Sequence, residues 1–303
     1  MKRLLIGVAV ILLAGLGVSA QKNQTAGSSD EEMKMMALNG LREADPSVAV
    51  PQIERILASD ASLTLKKRAL GILADENSPA ARAALVRIAK GQSNPALQIE
   101  AIHQLGNDGG TEATASLAEI YGGATSADVK KSILRAYANA DDKNHLLEVA
   151  KGEKDPLLRD EAVRGLGNME ASDALSQLYS KETSVDVKAQ IIRALGNCDA
   201  ADRLGQILQA EDSALLRAAV VRALGNVDGE RSTTALSAQY DKEKDVAVRE
   251  AILRAFANQD DAKALIAVAR KETDPELRKY AVRELSNMDS KEATDYLMEI
   301  LNK

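Results

Sequence analysis

Aromatic residues are almost absent from this chain of 303 residues. It has no Trp, a single Phe and 6 Tyr, so aromatics make up 2% of the sequence, whereas hydrophobic residues make up 45%. The apolar supply is therefore mostly Ala, Leu, Val and Ile. These side chains suit many small helix contacts better than one large core. The chain has only 6 Pro, so long uninterrupted helical stretches are possible.

Cysteine and histidine are similarly scarce. Cys198 is the only cysteine, so no intramolecular disulfide can form, and His103 and His145 are the only histidines. Zinc needs three or four clustered ligands, and a nucleophile needs a base beside it. The sequence shows neither arrangement, so we expect no metal, no cofactor and no catalytic residue.

The N-terminus has the pattern of a cleavable export signal. Lys2 and Arg3 precede an apolar run over 4–18, and Val18 and Ala20 place small residues at the alternate positions that a signal peptidase requires. A membrane anchor is the alternative, but a span needs about 20 apolar residues. We predict cleavage after Ala20, a secreted or periplasmic location, and no membrane span in the mature protein.

The charge balance argues against a nucleic-acid partner. The whole chain has a net charge of −6, and residues 1–20 contain two basic residues and no acid. The mature chain therefore has 37 Lys and Arg against 45 Asp and Glu, a net charge of −8. Phosphate backbones would be repelled at long range.

A short motif recurs along the chain. Arg-x-Leu-Gly-Asn occurs at 164–168, 193–197 and 222–226, with variants at 135–139, 254–258 and 283–287. Weaker copies surround Leu105, Leu70 and Leu38, and successive copies lie 29 to 35 residues apart. This period predicts a repeat protein, in which helix pairs bury their apolar faces by stacking on one another.

Each unit is predicted to contain two helices. In one unit Asp155 and Pro156 begin the first helix, Gly167 is predicted to end it, and the second runs from about Glu170 to Lys181. The apolar residues follow the helical period. No stretch shows the sustained alternation of a strand, so we predict an all-α fold.

These units resemble HEAT repeats, particularly the short bacterial kind also found in phycobilin lyases. The resemblance is carried by 155–159 with 162–167 and by 274–278 with 281–285, and it covers about 31–303. It implies a right-handed α-solenoid of about eight two-helix repeats. A signal peptide over 1–20 and a flexible leader over 21–30 are expected before it, and we expect a monomer.

Two rows of basic residues follow the repeat. The inner row lies seven residues before each motif centre and comprises Lys130, Arg159, Lys188, Arg217, Arg249 and Arg278. In HEAT-like repeats, residues of this kind tie successive turns together with nearby aspartates. The aspartates in this chain are Asp128, Asp155, Asp186, Asp212, Asp245 and Asp274.

The outer row faces away from the predicted core. Its arginines are Arg135, Arg164, Arg193, Arg222, Arg254 and Arg283, and asparagines follow four residues later at Asn139, Asn168, Asn197, Asn226, Asn258 and Asn287. With Leu166 at zero on a helical wheel, Arg164 falls at about 160°. The resemblance also implies that the outer row runs along the concave surface of the stack.

The outer row has two interpretations. The first is that it binds an acidic or extended segment of a protein partner, since the guanidinium fork matches a carboxylate. The second is that its arginines pair with turn acids at Asp141, Glu170, Asp199, Asp228, Asp260 and Asp289, while its asparagines satisfy helix ends. Arg193 and Arg222 have Ala189 and Ala218 one turn back instead of an acid, so binding is expected in the middle units.

These observations favour a non-catalytic protein-interaction scaffold or adaptor in the cell envelope. The repeat resemblance also suggests a bilin lyase-like or other small-ligand-handling enzyme, against which export and the missing nucleophile argue. Binding of an envelope polysaccharide is a third hypothesis, which the lack of Trp weakens because sugars usually stack on aromatic faces.

Overall fold

The computed structural model describes residues 30–76, 78–92 and 95–302. Within these residues the chain forms 18 α-helices, two short 3-10 helices and no strand, which confirms the all-α prediction. The predicted signal peptide and nearly all of the predicted leader lie outside the described residues. Residue 30, the last of that leader, is already helical.

The helices follow one another in pairs joined by short turns. They are α1 (30–40), α2 (Pro46–Ala58), α3 (Leu63–Asp75), α4 (Pro79–Ala89), α5 (Gln98–Asp108), α6 (Thr111–Gly123), α7 (Ala127–Asn139), α8 (Lys143–Gly152), α9 (Pro156–Asn168), α10 (Ser172–Lys181), α11 (Val185–Asn197), α12 (Ala201–Ala210), α13 (Ala214–Leu224), α14 (Glu230–Tyr240), α15 (Val246–Asn258), α16 (Ala262–Lys271), α17 (Pro275–Ser286) and α18 (Lys291–Leu301). Every motif centre lies on an odd-numbered helix. The weakest copy, at Leu38, also lies on a helix, so the described residues contain nine pairs, close to the predicted number of about eight.

The chain divides into two compact units, one ending at Ala136 and one beginning at Tyr137. In the first unit α2 packs on α4, α4 on α6, and α3 on α5. In the second unit α9, α11, α13, α15 and α17 pack in sequence on one another. The odd helices of the second unit therefore form one continuous layer, and the motif arginines lie on it.

The motif centres form the core of each layer. Leu166, Leu195, Leu224, Phe256 and Leu285 are all completely buried. An isolated helix pair would leave these side chains exposed, and fully burying one side chain of this size is worth about 1.5–3 kcal/mol. Stacking of the repeats therefore supplies the main stabilisation.

The helix starts follow the sequence closely. Pro156 and Pro275 occupy first-turn positions, and the preceding Asp155 and Asp274 accept hydrogen bonds from backbone N–H groups. Asp142 and Asp261 cap α8 and α16 in the same way. Capping accounts for these acids because the first helical N–H groups have no partner within the helix.

The prediction that Gly167 ends α9 is wrong. The helix continues through Asn168, and the left-handed residue of the turn is Glu170, with φ 51°. The Ala171 N–H then donates to the Leu166 carbonyl at 3.0 Å, which is the long hydrogen bond of a Schellman cap. The motif glycine therefore has another purpose.

That purpose is close helix packing. A Cβ placed on Gly167 would lie 3.1 Å from Ala194 Cβ. A Cβ on Gly225 would lie 2.8 Å from the Cβ and 3.0 Å from the Cα of Ala255. The glycines thus let each odd helix approach the next one in the layer.

Candidate binding surface

Four inner-row residues form ion pairs with buried or nearly buried carboxylates, but these belong to glutamates rather than to the predicted aspartates. In the second unit, Arg159 pairs with Glu182, Lys188 with Glu211, Arg217 with Glu243 and Arg249 with Glu272. Each glutamate follows an even helix. Aspartates of the predicted set, such as Asp155 and Asp245, instead cap helix N-termini. These four basic residues therefore have the predicted structural role of tying turns together, but they do so with glutamates instead of aspartates.

The Arg217–Glu243 pair shows the geometry most fully. Arg217 Nε and Nη2 donate to the two Glu243 carboxylate oxygens at 2.8 and 2.9 Å, and Gln239 Nε2 donates to the same carboxylate at 2.8 Å. The Glu243 side chain is only 2% exposed. Burial alone would raise the pKa of Glu243, but hydrogen bonds from Arg217, the Asp245 N–H and Gln239 outweigh it and lower the pKa to about 2.

Tyrosines complete this network in alternate units. Tyr179 donates to Glu211 at 2.5 Å, and Tyr240 donates to Glu272. The cation of Lys188 also lies 4.9 Å from the centre of the Tyr179 ring. Each phenol comes from one helix pair and each carboxylate follows the next pair, so these hydrogen bonds join successive repeats.

The outer row is exposed on the odd-helix layer, as predicted. Arg164 pairs with Asp160 and Glu161 at 2.8 and 3.3 Å. Arg254 Nε donates to the Tyr280 hydroxyl at 3.1 Å, and Arg283 lies over the Tyr280 ring. Among the described residues, none of the outer-row arginines of the second unit pairs with a turn acid.

Arg193 and Arg222 differ from their neighbours in the row. Both are exposed, and neither makes a hydrogen bond or an ion pair with any part of the chain that the structure describes. The same holds for the side chains of Asn197 and Asn226, so they do not satisfy helix ends. The middle units therefore present uncompensated polar groups, as the sequence indicated.

These four side chains line one groove between α11 and α13. The groove has a volume of 510 Å³, and its remaining wall and floor are formed mainly by small residues. These are Ala189, Gly196, Ala219 and Ala223, together with Ile192 and Asp199. Because the residues around them are small, the exposed guanidinium groups of Arg193 and Arg222 remain accessible to a ligand. We call it the 193–222 groove.

A second, smaller groove follows between α13 and α15. It measures 310 Å³ and shares Arg222 and Asn226 with the first groove. Arg254 and Asn258 line its far side, but so does Glu250. Its positive charge is therefore partly offset by a carboxylate, as Asp199 partly offsets that of the 193–222 groove. It differs in that Arg254 already has a hydrogen-bond partner, Tyr280.

The even helices carry a different charge arrangement. Arg203 pairs with Asp173 and Arg231 with Asp202, both at 2.6 Å, so basic and acidic groups are matched from one repeat to the next. A larger groove than these two, of 1210 Å³, lies along α12 and α14 and includes these pairs. Its arginines are already engaged, unlike those of the 193–222 groove.

The scarce reactive side chains occupy ordinary positions. The Cys198 thiol donates to the Gly167 carbonyl at 3.3 Å, and burial, together with the charges of Glu170 and Asp199, raises its pKa. His145 Nδ1 lies 2.6 Å from an Asp142 oxygen, and its ring stacks on Tyr137.

Within 30–76, 78–92 and 95–302 no group of three or more His, Cys, Asp or Glu could hold a metal ion. Among the same residues, no helix is both long and apolar enough to cross a bilayer.

The family model for HEAT repeats matches residues 50–138 and 172–257, more than half of the chain. The protein therefore belongs to the HEAT-repeat family, whose all-α solenoids generally act as protein-interaction scaffolds. No curated protein matches the chain significantly.

Three solved structures illustrate the similarity to known folds. Human deoxyhypusine hydroxylase in complex with glycerol is 19% identical, with a TM-score of 0.34, and the match covers 78% of this chain and 94% of that one. A homology model of the AP-3 complex in an intermediate open conformation is 11% identical, with a TM-score of 0.42, covering 90% and 57%. A computationally designed self-assembling cyclic homo-oligomer is 14% identical, with a TM-score of 0.16, covering 90% and 99%. At these TM-scores the likenesses carry no argument about function.

Proposed function

We propose that this protein is a non-catalytic interaction scaffold that binds an acidic segment of a partner protein in the 193–222 groove. The observation that carries the proposal is the pair of exposed arginines, Arg193 and Arg222, which line one groove and pair with no acid among the described residues, although Asp199 also lines it. Arginine offers a planar fork that matches a carboxylate.

The overall acidity of the chain does not oppose such a ligand at close range. Charges separated by more than about 8 Å are largely screened at physiological salt. An acidic segment inside the groove therefore interacts chiefly with Arg193, Arg222 and Asp199, which together carry one net positive charge. Attraction by these nearby charges therefore outweighs repulsion by the net negative charge of the rest of the chain.

The groove suits a polypeptide better than a small apolar molecule. Pockets for small molecules are lined mostly by apolar and aromatic side chains. Neither groove of the odd-helix layer has an aromatic residue among the described residues that line it. Polar groups repeated from helix to helix fit a ligand that extends across repeats.

We further propose that the protein works outside the cytoplasm after removal of residues 1–20. The support is Lys2 and Arg3, the apolar run and the Ala20 site. Mass spectrometry of the protein from fractionated cells tests this directly. We expect the mature chain in the envelope or medium to begin at Gln21, and recovery of the unprocessed chain from the cytoplasm would refute it.

The binding proposal is tested by affinity capture from the native envelope fraction with two charge-matched variants. Arg193→Glu/Arg222→Glu removes the groove cations, and Arg203→Glu/Arg231→Glu makes the same charge change on the even helices. We expect partners to be lost from the first variant and retained by the second. Equal recovery by the wild type and by a correctly folded Arg193→Glu/Arg222→Glu variant would refute the proposal.

A further inference from the structure

We infer that the ligand of the 193–222 groove is a polyproline II segment with two carboxylate side chains three residues apart. This inference rests on the proposed function and specifies the ligand of the same groove. Three features support it: the packing of the helices that carry the two arginines, the partners that the neighbouring arginines already have, and the small residues that line the groove.

The spacing of the two arginines is set by helix packing. Arg193 and Arg222 occupy equivalent positions on α11 and α13, which pack directly on one another. A Cβ on Gly196 would lie 3.2 Å from Ala223 Cβ, so the two helices are in close contact. Packed helix axes are about 8–10 Å apart, and equivalent side chains are separated by the same step.

A ligand that crosses from α11 to α13 meets one Arg and Asn pair from each repeat, and few backbone conformations match this step. In a β-strand, side chains on one face repeat at about 6.6 Å or about 13 Å, since the rise is about 3.3 Å per residue. In polyproline II, every third residue returns to the same face after about 9 Å. The second value matches the 8–10 Å step between packed helices, so carboxylates at positions i and i+3 can reach both guanidinium groups.

The neighbouring arginines set the length of the motif. On one side, Arg164 is paired with Asp160 and Glu161. On the other, Arg254 donates to Tyr280, and Glu250 lines the groove beside it. Both flanking arginines therefore already have a hydrogen-bond partner, so two carboxylates suffice and a third, at i+6, gains little.

The rest of the groove fits the same backbone. Polyproline II has no internal hydrogen bonds, so its amides remain available to a binding surface. The Asn197 and Asn226 side chains can each donate and accept, and neither is engaged within the described part of the chain. The alanine and glycine floor leaves room for the proline rings that favour this conformation.

The test uses short labelled peptides of identical composition, rich in proline and alanine and carrying two aspartates. The aspartates stand at i and i+3, at i and i+2, or next to each other. A fourth peptide has alanine in place of the prolines so that it can form a helix, and it carries the aspartates at i and i+7, which lie on one face of a helix. Fluorescence anisotropy with the mature chain gives each Kd, for the wild type, Arg193→Gln, Arg222→Gln and the control Arg164→Gln.

We expect the i, i+3 peptide to bind roughly fivefold more tightly than the others, the value of one additional exposed ion pair. Arg193→Gln and Arg222→Gln should each remove this preference, and Arg164→Gln should keep it. Equal or tighter binding of another spacing, still dependent on Arg193 and Arg222, would overturn the inference and leave the proposed function intact. Binding of every peptide without dependence on these arginines, or no binding at all, would overturn both.

Discussion

Replacing Glu243 with Gln should make the protein less stable at neutral pH and change how its stability responds to acid. The Glu243 carboxylate is almost completely buried and accepts hydrogen bonds from Arg217 and Gln239. The neutral amide of Gln would leave the Arg217 cation without its counter-charge. Removing one partner of a buried pair costs more than the intact pair contributes.

The magnitude follows from the pKa of Glu243. It falls from an ordinary value of 4.5 to about 2 on folding, which corresponds to about 3 kcal/mol of stability above pH 4.5. Because the folded pKa is the lower one, this stabilisation is complete above the unfolded pKa and is lost as the pH falls towards 2. At pH 3 about 2 kcal/mol of it has gone.

The assay is urea unfolding followed by far-UV circular dichroism at neutral pH and at pH 3. The wild type should exceed Glu243→Gln by about 3 kcal/mol at neutral pH and by only about 1 kcal/mol at pH 3. Glu148→Gln is the matched control, because its side chain is 73% exposed and pairs only with Lys151 at 3.0 Å. It should unfold like the wild type under both conditions.

One result would refute this reasoning. If Glu243→Gln and the wild type differed by the same free energy at both pH values, the carboxylate would not be held ionised by its partners. The loss of stability would then come from packing alone, and the low pKa of Glu243 would be wrong.

Two further predictions concern packing and the links between repeats. Gly225→Ala should destabilise the protein by about 1–3 kcal/mol, since the new Cβ would lie 3.0 Å from the Ala255 backbone. Gly71→Ala, a control with open space around it, should stabilise it by about 0.5–1 kcal/mol, and a thermal melt showing the same shift for both would contradict the close-packing role. Tyr240→Phe should cost about 1–2 kcal/mol by removing the hydrogen bond to Glu272, and an unchanged urea midpoint would mean that this bond does not join the repeats.

Much of the fold could be predicted from the sequence because its signals are local. Helical periodicity and N-terminal caps such as Asp155 depend only on neighbouring residues, and the structure confirms them. The motif glycines are different. Gly167 looks like a helix end by its position in the sequence, but its role depends on Ala194 of the next repeat, which periodicity alone does not reveal.

The partners of the inner row were missed for a similar reason. Glu182, Glu211, Glu243 and Glu272 recur with the repeat period, so alignment of the units could have found them. The choice between Asp and Glu depends on the turn. The Glu182 carboxylate accepts from two turn N–H groups, at 2.8 and 2.7 Å, while its other oxygen reaches Arg159. That one side chain can contact both the turn and Arg159 is known only from the three-dimensional structure of the turn.

The candidate site was predicted more successfully as a set of residues than as a shape. The missing acids one turn before Arg193 and Arg222 can be read directly from Ala189 and Ala218. The groove between the two arginines could not be predicted in this way. It depends on small side chains of two different repeats, such as Ala189 and Ala219, meeting at one floor.

The most direct test of this account is an equilibrium titration of residues 21–303 with an acidic peptide at low and at physiological salt. The wild type should bind and should weaken as salt rises, because exposed ion pairs are screened. The Arg193→Gln/Arg222→Gln variant should bind at least about tenfold more weakly at low salt, the loss of about 1.4 kcal/mol. Equal affinity of the two proteins at low salt would contradict the claim that this groove is the binding surface.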